Sequence, residues 1–388
     1  MKIAIITPGG VDRGGIERVI PCLLWFIERL VRSGDEVHIF ALRQQAEHGE
    51  WPLFGATVHN AGGANAVTRG ARMLLDLRRN HRRARFDVIH ALWAVPQGAL
   101  AAIAKRLLGV PMLLHLPGGD VASLPDIRYG ACVTPTSRLA LRLAVSAADR
   151  IIAPSDTMVR QAHALGIPAV RVPFGVALDH WPVLSPRRRV NGACLRLLHV
   201  ANLSPVKDQE TLLIAAHELR ARGGDFRLDI IGEDILRGAV QRRAGELGLG
   251  NVVRFLGFMP QAALRKHMCQ ADVLVVSSMH EAGPIVALEA AASGVPTVGT
   301  KVGILADWAP QAARVVPIGD GAALAAAILD VGLNDELRLR LASDAQKRAI
   351  AENADVTTRQ IQSIYAAMMG KKAPAEHARK RGPRKMEA

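Results

Sequence analysis

The chain has 388 residues, 49% hydrophobic and 22% charged, which suits a protein that buries a sizeable core and excludes disorder as its main state. Aromatic residues make up only 4%, which excludes a function built on many stacked rings. Lysine and arginine outnumber aspartate and glutamate 49 to 35, and the resulting +14 attracts anions (nucleotide, nucleic acid, anionic lipid) without choosing among them.

Cys22, Cys132, Cys194 and Cys269 are scattered, with no CxxC pair and no histidine at zinc-ligand spacing. A disulfide framework and a structural zinc site are not expected, and a reducing cytosol is the expected compartment. The apolar run Ile3-Ala-Ile-Ile6 ends at Pro8, too short for a secretory signal, and the apolar stretch 19–31 carries Glu28 and Arg29, so no membrane span is expected.

In chain order, residues 2–7 predict a strand entering Pro8-Gly9-Gly10. The loop Asp12-Arg13-Gly14-Gly15 follows and leads into an apolar helix from Ile16. Residues 36–41, 87–91, 112–115 and 150–153 predict further strands separated by helical patterns. Between them, Arg69, Arg72, Arg78, Arg79, Arg82, Arg83 and Arg85 mark a basic segment. At about 100° per residue, Arg69, Arg72, Arg79 and Arg83 share one side and Met73, Leu74, Leu77 and Ala84 the other. A crossover helix packed by its apolar stripe and a helix adhering to anionic headgroups are compatible readings.

The rhythm breaks at Pro173-Phe-Gly-Val176 and the punctuated stretch through Pro182, Pro186, Arg187-Arg-Arg189, Asn191 and Gly192. It restarts with strands at 195–200, 227–231, 252–255, 273–276 and 296–298, and 322–369 is largely helical. The expected class is α/β: two Rossmann-like domains with parallel sheets, at 1–175 and 193–355, joined by a linker at 176–192. A helix at 356–370 and a basic, disordered tail at 371–388 complete the chain.

Two such domains imply a cleft, with ligands beyond the carboxyl ends of the strands. Gly14 and Gly15 could let backbone approach a phosphate; the plain alternative is a tight turn, and G-x-G-x-x-G is absent. Lys207, in Val200-Ala-Asn-Leu-Ser-Pro-Val-Lys-Asp208, could neutralise a diphosphate or simply be a solvated residue at a helix start. In Ser277-Ser-Met-His-Glu-Ala-Gly-Pro-Ile-Val-Ala-Leu-Glu289, Glu281 falls in the loop after a strand and Glu289 within the next helix. A carboxylate there suits the cis-diol of a ribose; two surface glutamates are the alternative. In His115-Leu-Pro-Gly-Gly-Asp120, His115 and Asp120 could contact a sugar or acceptor hydroxyl, or be a core histidine and a turn aspartate. Walker, nucleophile-elbow, HExxH and RNA-binding signatures are absent, as is an aspartate-rich metal cluster.

Taken in order, these pieces resemble a retaining glycosyltransferase of family 4 with the GT-B fold. The pattern Ser-x-x-x-Glu-x-Gly-Pro-x-x-x-x-Glu-Ala carries the resemblance, with Gly294-Val-Pro296, Gly14-Gly15, His115 with Asp120, Pro173-Phe-Gly175, and Asn202 with Lys207. The resemblance implies transfer of a sugar from a UDP- or GDP-linked donor to a glycan, lipid-linked or other hydroxyl acceptor, in polysaccharide or glycolipid synthesis, without metal or cofactor. Lys207 would hold the diphosphate, Glu289 the ribose, and Glu281 the transferred sugar, with Asn202 and the Gly283-Pro284-Ile285 backbone beside the donor. Gly14, Gly15 and Asp120 would lie near phosphates or acceptor, and His115 at the reaction centre. The final helix would cross back onto the first domain. Asn202 stands where the family usually has arginine, a lost cation for which Arg13 is the candidate replacement. A cytoplasmic enzyme, peripheral on the inner face of the plasma membrane, is the expected setting. A nucleotide-sugar epimerase or phosphorylase of the same fold is the alternative, and a basic nucleic-acid-binding protein the distant one; the basic residues lack the interleaved aromatics that nucleic acid would require.

Overall fold

In the computed structural model, which describes residues 1–190 and 192–370, the strands gather into two sheets. The first lobe runs β1 (Lys2–Thr7), α1 (Pro21–Arg32), β2 (Glu36–Ala41), β3 (Gly49–Leu53), β4 (Ala56–Asn60), α2 (Ala66–Arg83), β5 (Val88–Leu92), α3 (Ala99–Leu108), β6 (Met112–His115), α4 (Pro135–Ala147), β7 (Arg150–Ala153), α5 (Asp156–Ala164) and β8 (Val170–Arg171). The second runs β9 (Leu195–Val200), α6 (Gln209–Ala221), β10 (Phe226–Ile231), α7 (Ala239–Glu246), β11 (Val253–Phe255), α8 (Gln261–Gln270), β12 (Val273–Val276), α9 (Ile285–Ala292), β13 (Thr297–Thr300), α10 (Gly303–Trp308), β14 (Arg314–Val316), α11 (Gly321–Leu333) and α12 (Asp335–Ala351), before a last helix, α13 (Ala354–Met368).

The strand orders are β3-β4-β2-β1-β5-β6-β7-β8 and β11-β10-β9-β12-β13-β14, parallel except at the β3–β4 hairpin. Runs such as Val273–Val276 are buried along their whole length, as a sheet covered on both faces requires. In the second sheet the chain order reverses between β9 and β12, so the loops following these two strands open a crevice at their carboxyl ends. Lys207 follows β9 and Glu281 follows β12.

Two local features depart from the sequence pattern. The first helix does not begin at Ile16: residues 13–18 form turns and bends, Arg18 adopts φ 47°, and α1 starts at Pro21, whose fixed φ suits a first helical position. The β3–β4 hairpin contains Pro52, which is tolerated because β3 is an edge strand.

The chain passes between the lobes twice, and the passages touch. Ala354 N donates to Val176 O at 3.0 Å, and Thr357 Oγ1 to Pro173 O at 2.7 Å. At Gly175 a Cβ would fall 2.1 Å from the Asn353 carbonyl carbon, so no side chain fits. α13 then packs on α1 of the first lobe. Buried Arg29 on α1 reaches Asp179 of the first passage and Asp355 of α13, both at 2.7 Å. One apolar cluster runs from Ile3, Ile5, Trp25, Phe26, Ile27 and Leu30 through Val176 and Trp181 to Leu274, Ala287, Leu288, Ala290–Ala292 and Trp308, joining the lobes. Among the described residues, no helix is long and apolar enough to cross a membrane. The expected disordered tail lies outside the described residues.

Candidate active site

The site is built by stitching the loop after β9 to the loop after β12. Met279 N donates to Val206 O at 2.8 Å, and Ser277 Oγ to Lys207 O at 2.8 Å. Asp208 closes the first loop by capping α6: its carboxylate accepts from Thr211 N at 3.2 Å and Thr211 Oγ1 at 2.6 Å. These bonds leave Lys207 Nζ 2.5 Å from Glu281 Oε1, which also accepts from Ser278 Oγ at 2.7 Å. Lysine and glutamate thus arrive at one point from neighbouring strands.

The pair lines a cavity of about 270 Å³ between the lobes. Gly283, Pro284 and Ile285 share its second-lobe wall, and Trp93, Pro117 and Phe174 form part of the wall opposite. Lys207 is the one lysine or arginine among the described lining residues. His199 also lines it; burial first, then Lys207, pushes its imidazole down to about 4 against the opposing hydrogen bond with Val275 O, so it is neutral near pH 7.

Glu289 lies one hollow further on. That hollow, about 240 Å³, shares Val200, Ala201, Ile285 and Val286 with the first and is otherwise mostly apolar: Ile16, Val19, Ile231, Phe258, Met259 and Leu264. Glu289 is 4% exposed, and its side chain hydrogen-bonds to no described residue. Burial pushes its carboxyl up to about 8. The two glutamates therefore face adjoining hollows rather than one. Asn202 also lines the second hollow, where its Oδ1 accepts from Glu233 N at 3.2 Å.

Three expectations are corrected. His115 ends β6 with its ring stacked on His90 and Phe174, fully buried; it lies behind the cavity wall, while Trp93, Pro117 and Phe174 form the surface. Gly14 and Gly15 turn on Asp12, with Gly15 N donating to Asp12 O at 3.0 Å, and border neither hollow; the helix start they were expected to form lies beyond them at Pro21. Arg13 does not replace the missing cation, because its guanidinium lies 5.1 Å over the Trp51 ring, away from both hollows.

Asp120 is a loop organiser. Its buried carboxylate accepts from Ala94 N at 2.7 Å and Gly118 N at 3.2 Å, and burial outweighs these bonds, raising it to about 6. The loop it shapes meets the second lobe, where His280, next to Glu281, is 3.3 Å from Gly118 O. Trp93 and His199 fall in no motif, and Phe174 only within Pro173-Phe-Gly175, to which no site role attaches: each reaches the cavity because of where a strand end or crossing falls in space. Trp93 adopts φ 69° just after β5, a conformation that non-glycine residues seldom take outside functional or strained sites.

A family model described as "Glycosyl transferase 4-like domain" matches residues 14–175, and one described as "Glycosyl transferases group 1" matches residues 189–348. Among curated proteins, the D-inositol 3-phosphate glycosyltransferase 2 of Catenulispora acidiphila is 31% identical over 245 residues, covering 58% of this chain and 57% of that protein. The phosphatidyl-myo-inositol mannosyltransferase of Mycolicibacterium smegmatis is 32% identical over 231 residues, covering 56% and 57%. The chain thus spans little more than half the length of these two relatives. Among solved structures, the sucrose-phosphate synthase of Thermosynechococcus elongatus superposes with a TM-score of 0.79 at 20% identity, covering 95% of this chain and 99% of the other. HepE of Anabaena, in complex with UDP and glucose, gives 0.72 at 20%, covering 95% and 100%. These likenesses are of fold, and the fold is GT-B.

Proposed function

Because the chain belongs to the group 1 glycosyl transferases with a 4-like first domain, we propose that it moves a sugar from a nucleotide-diphosphate donor to a hydroxyl acceptor, keeping the anomeric configuration and needing neither metal nor cofactor. One observation carries the reading: Lys207 and Glu281 meet at 2.5 Å on the wall of an interlobe cavity, beside a hollow that holds the buried carboxyl of Glu289, which has no hydrogen-bond partner among the described residues.

The three groups suit three parts of one donor. Glu289 faces the ribose hydroxyls, which donate to it. Lys207 faces the diphosphate, where it neutralises the charge that grows as the sugar departs. Glu281, oriented by Lys207 and Ser278, faces the sugar hydroxyls. The bond from the anomeric carbon to the diphosphate oxygen breaks, the bond to the acceptor oxygen forms on the same face, and the acceptor's proton passes to the departing diphosphate. A UDP- or GDP-linked donor is the preferred candidate; the Anabaena neighbour was captured with UDP and glucose. The names of the curated relatives favour a phosphorylated polyol or lipid-linked acceptor.

We place the enzyme on an anionic membrane surface. On α2, Arg72, Arg78, Arg79, Arg82 and Arg83 are exposed and form no ion pair among the described residues, beside Val67 and Leu75, 81% and 64% exposed. Basic side chains around exposed apolar ones suit headgroups over an acyl boundary.

A thermal-shift panel of UDP-, GDP- and ADP-sugars, followed by turnover of the stabilising donor with and without chelator, tests the reading. A donor at 100 times its Kd adds about 2.7 kcal/mol of stability. No stabilisation by any nucleotide sugar, or turnover abolished by chelation, overturns the corresponding part.

A further inference from the structure

The helix α10 that backs the Glu281 loop is tied to the first lobe, and Asp307 supplies the tie. Asp307 lies on α10 of the second lobe and is almost fully buried on its side chain, 9% exposed. Its carboxylate crosses to the first lobe and caps α5. Oδ2 accepts from Asp156 N at 2.7 Å, and Oδ1 accepts from Thr157 N at 3.1 Å, Thr157 Oγ1 at 2.7 Å and Arg160 at 3.2 Å. These amides open α5, where free N–H groups and the helix dipole favour an anion, and here the anion comes from the other lobe.

At its other end α10 rests on the reaction loop. Gly303, with φ 44°, lies so close to that loop that a Cβ would fall 2.5 Å from both the Glu281 and the Ala282 carbonyl oxygens. The loop also touches the first lobe directly: a Cβ on Gly283 would lie 3.4 Å from Pro154, two residues before α5. One short helix therefore spans from the backbone of Glu281 to an anchor on the opposite lobe.

We propose that Asp307 is a positioning residue for Glu281: by tying α5 to α10 it holds the lobes at the separation in which the loop 278–285 keeps Glu281 beside Lys207. The inference rests on the proposed transfer reaction for its kinetic consequence, but not for its structural one. Without the anchor, α10 is free to lift from the first lobe and the loop loses one of its supports, while the donor-binding groups Lys207, Asn202 and Glu289 keep their places within the second lobe.

The test uses the full chain with Asp307→Asn, Asp307→Ala and, from the other lobe, Thr157→Val. Amide hydrogen exchange of 155–164 and 278–285 is followed by mass spectrometry, beside donor turnover. In Asp307→Ala, exchange is expected to rise in both segments, kcat to fall about tenfold or more, and the KM for the donor to change less than about twofold. Asp307→Asn and Thr157→Val, which keep part of the hydrogen bonding, are expected to fall between. A rise confined to 155–164 reduces Asp307 to a helix cap and overturns the proposal, as does a change in KM with kcat intact. If the unmodified protein turns over no nucleotide sugar, the functional reading fails while the exchange result still decides whether Asp307 holds the loop.

Discussion

The Tyr365 hydroxyl lies 2.6 Å from Nδ1 of His90, joining the last helix to the middle of the first sheet across 275 residues of sequence. Both side chains are fully buried, and the His90 ring also stands edge-on to Phe26 of α1 and parallel to His115. Burial alone pushes the His90 imidazole down to about 3, so the ring is neutral, and among the described residues this bond is its one polar partner.

Tyr365→Phe keeps the packing and removes that partner. A loss of about 1–3 kcal/mol in urea-induced unfolding is expected, with donor affinity unchanged. A loss well below 1 kcal/mol would mean that α13 is held by its apolar face, by Arg29 and by the bonds of Ala354, Thr357 and Gln362 to the first lobe and the outbound passage.

The roles proposed for Lys207 and Glu281 predict that substitutions there separate binding from transfer. Glu281→Ala should cut turnover by about 10²-fold or more while the thermal midpoint moves little, because Lys207 then faces solvent and not a closed core. Lys207→Ala should weaken donor binding as well, since no other lysine or arginine lines that cavity among the described residues. Calorimetric titration with the stabilising donor, beside kinetics, distinguishes the two. Wild-type rates in both variants would remove the site assignment.

Glu289 predicts a pH signature. Its folded carboxyl sits near 8 against an ordinary 4.5, because burial disfavours the charge. Stability from the neutral form is therefore full below about 4.5 and is lost as pH rises through about 8; Glu289→Gln, neutral throughout, should flatten this slope in pH-dependent melting curves. If Glu289 holds the ribose as proposed, the hydroxyls stabilise its ionised form, so donor affinity should strengthen as pH rises toward 8, with proton release on binding. Titrations in buffers of different ionisation enthalpy measure that release, and an unchanged release in Glu289→Gln would show that another group titrates.

The basic helix gives an outcome on vesicles. Sedimentation with anionic liposomes should carry the protein down and lose it when Arg72, Arg79 and Arg83 become serine, with a steep dependence on salt. Binding indifferent to those substitutions places the contact elsewhere.

Sequence made the second lobe's half of the site the more legible. Ser277 to Glu289 is one contiguous segment, and the placing of Glu281 in a loop and Glu289 in the helix α9 follows from a buried strand and Pro284 alone. The position of Lys207 after β9 follows the same way, while its role comes only from the resemblance. The first lobe's half depends on distances no spacing encodes. Whether His115 or its neighbour Pro117 reaches the cavity is decided by how Phe174, from the crossing segment, covers the end of β6. The Gly14-Gly15 loop misled for a related reason: glycines before an apolar run suit a helix start, but Pro21 sets the start later and residues 16–20 swing their apolar side chains into the hollows instead.

The contact of Gly175 with Asn353 also constrains how such a protein can be cut or rebuilt. Outbound and returning backbone are pressed into one seam, so the halves share a common axle and are not beads on a string. A nick in either strand of the seam should leave the pieces associated but free to swivel, and any bulkier residue at Gly175 would prise the seam apart before it touched the chemistry.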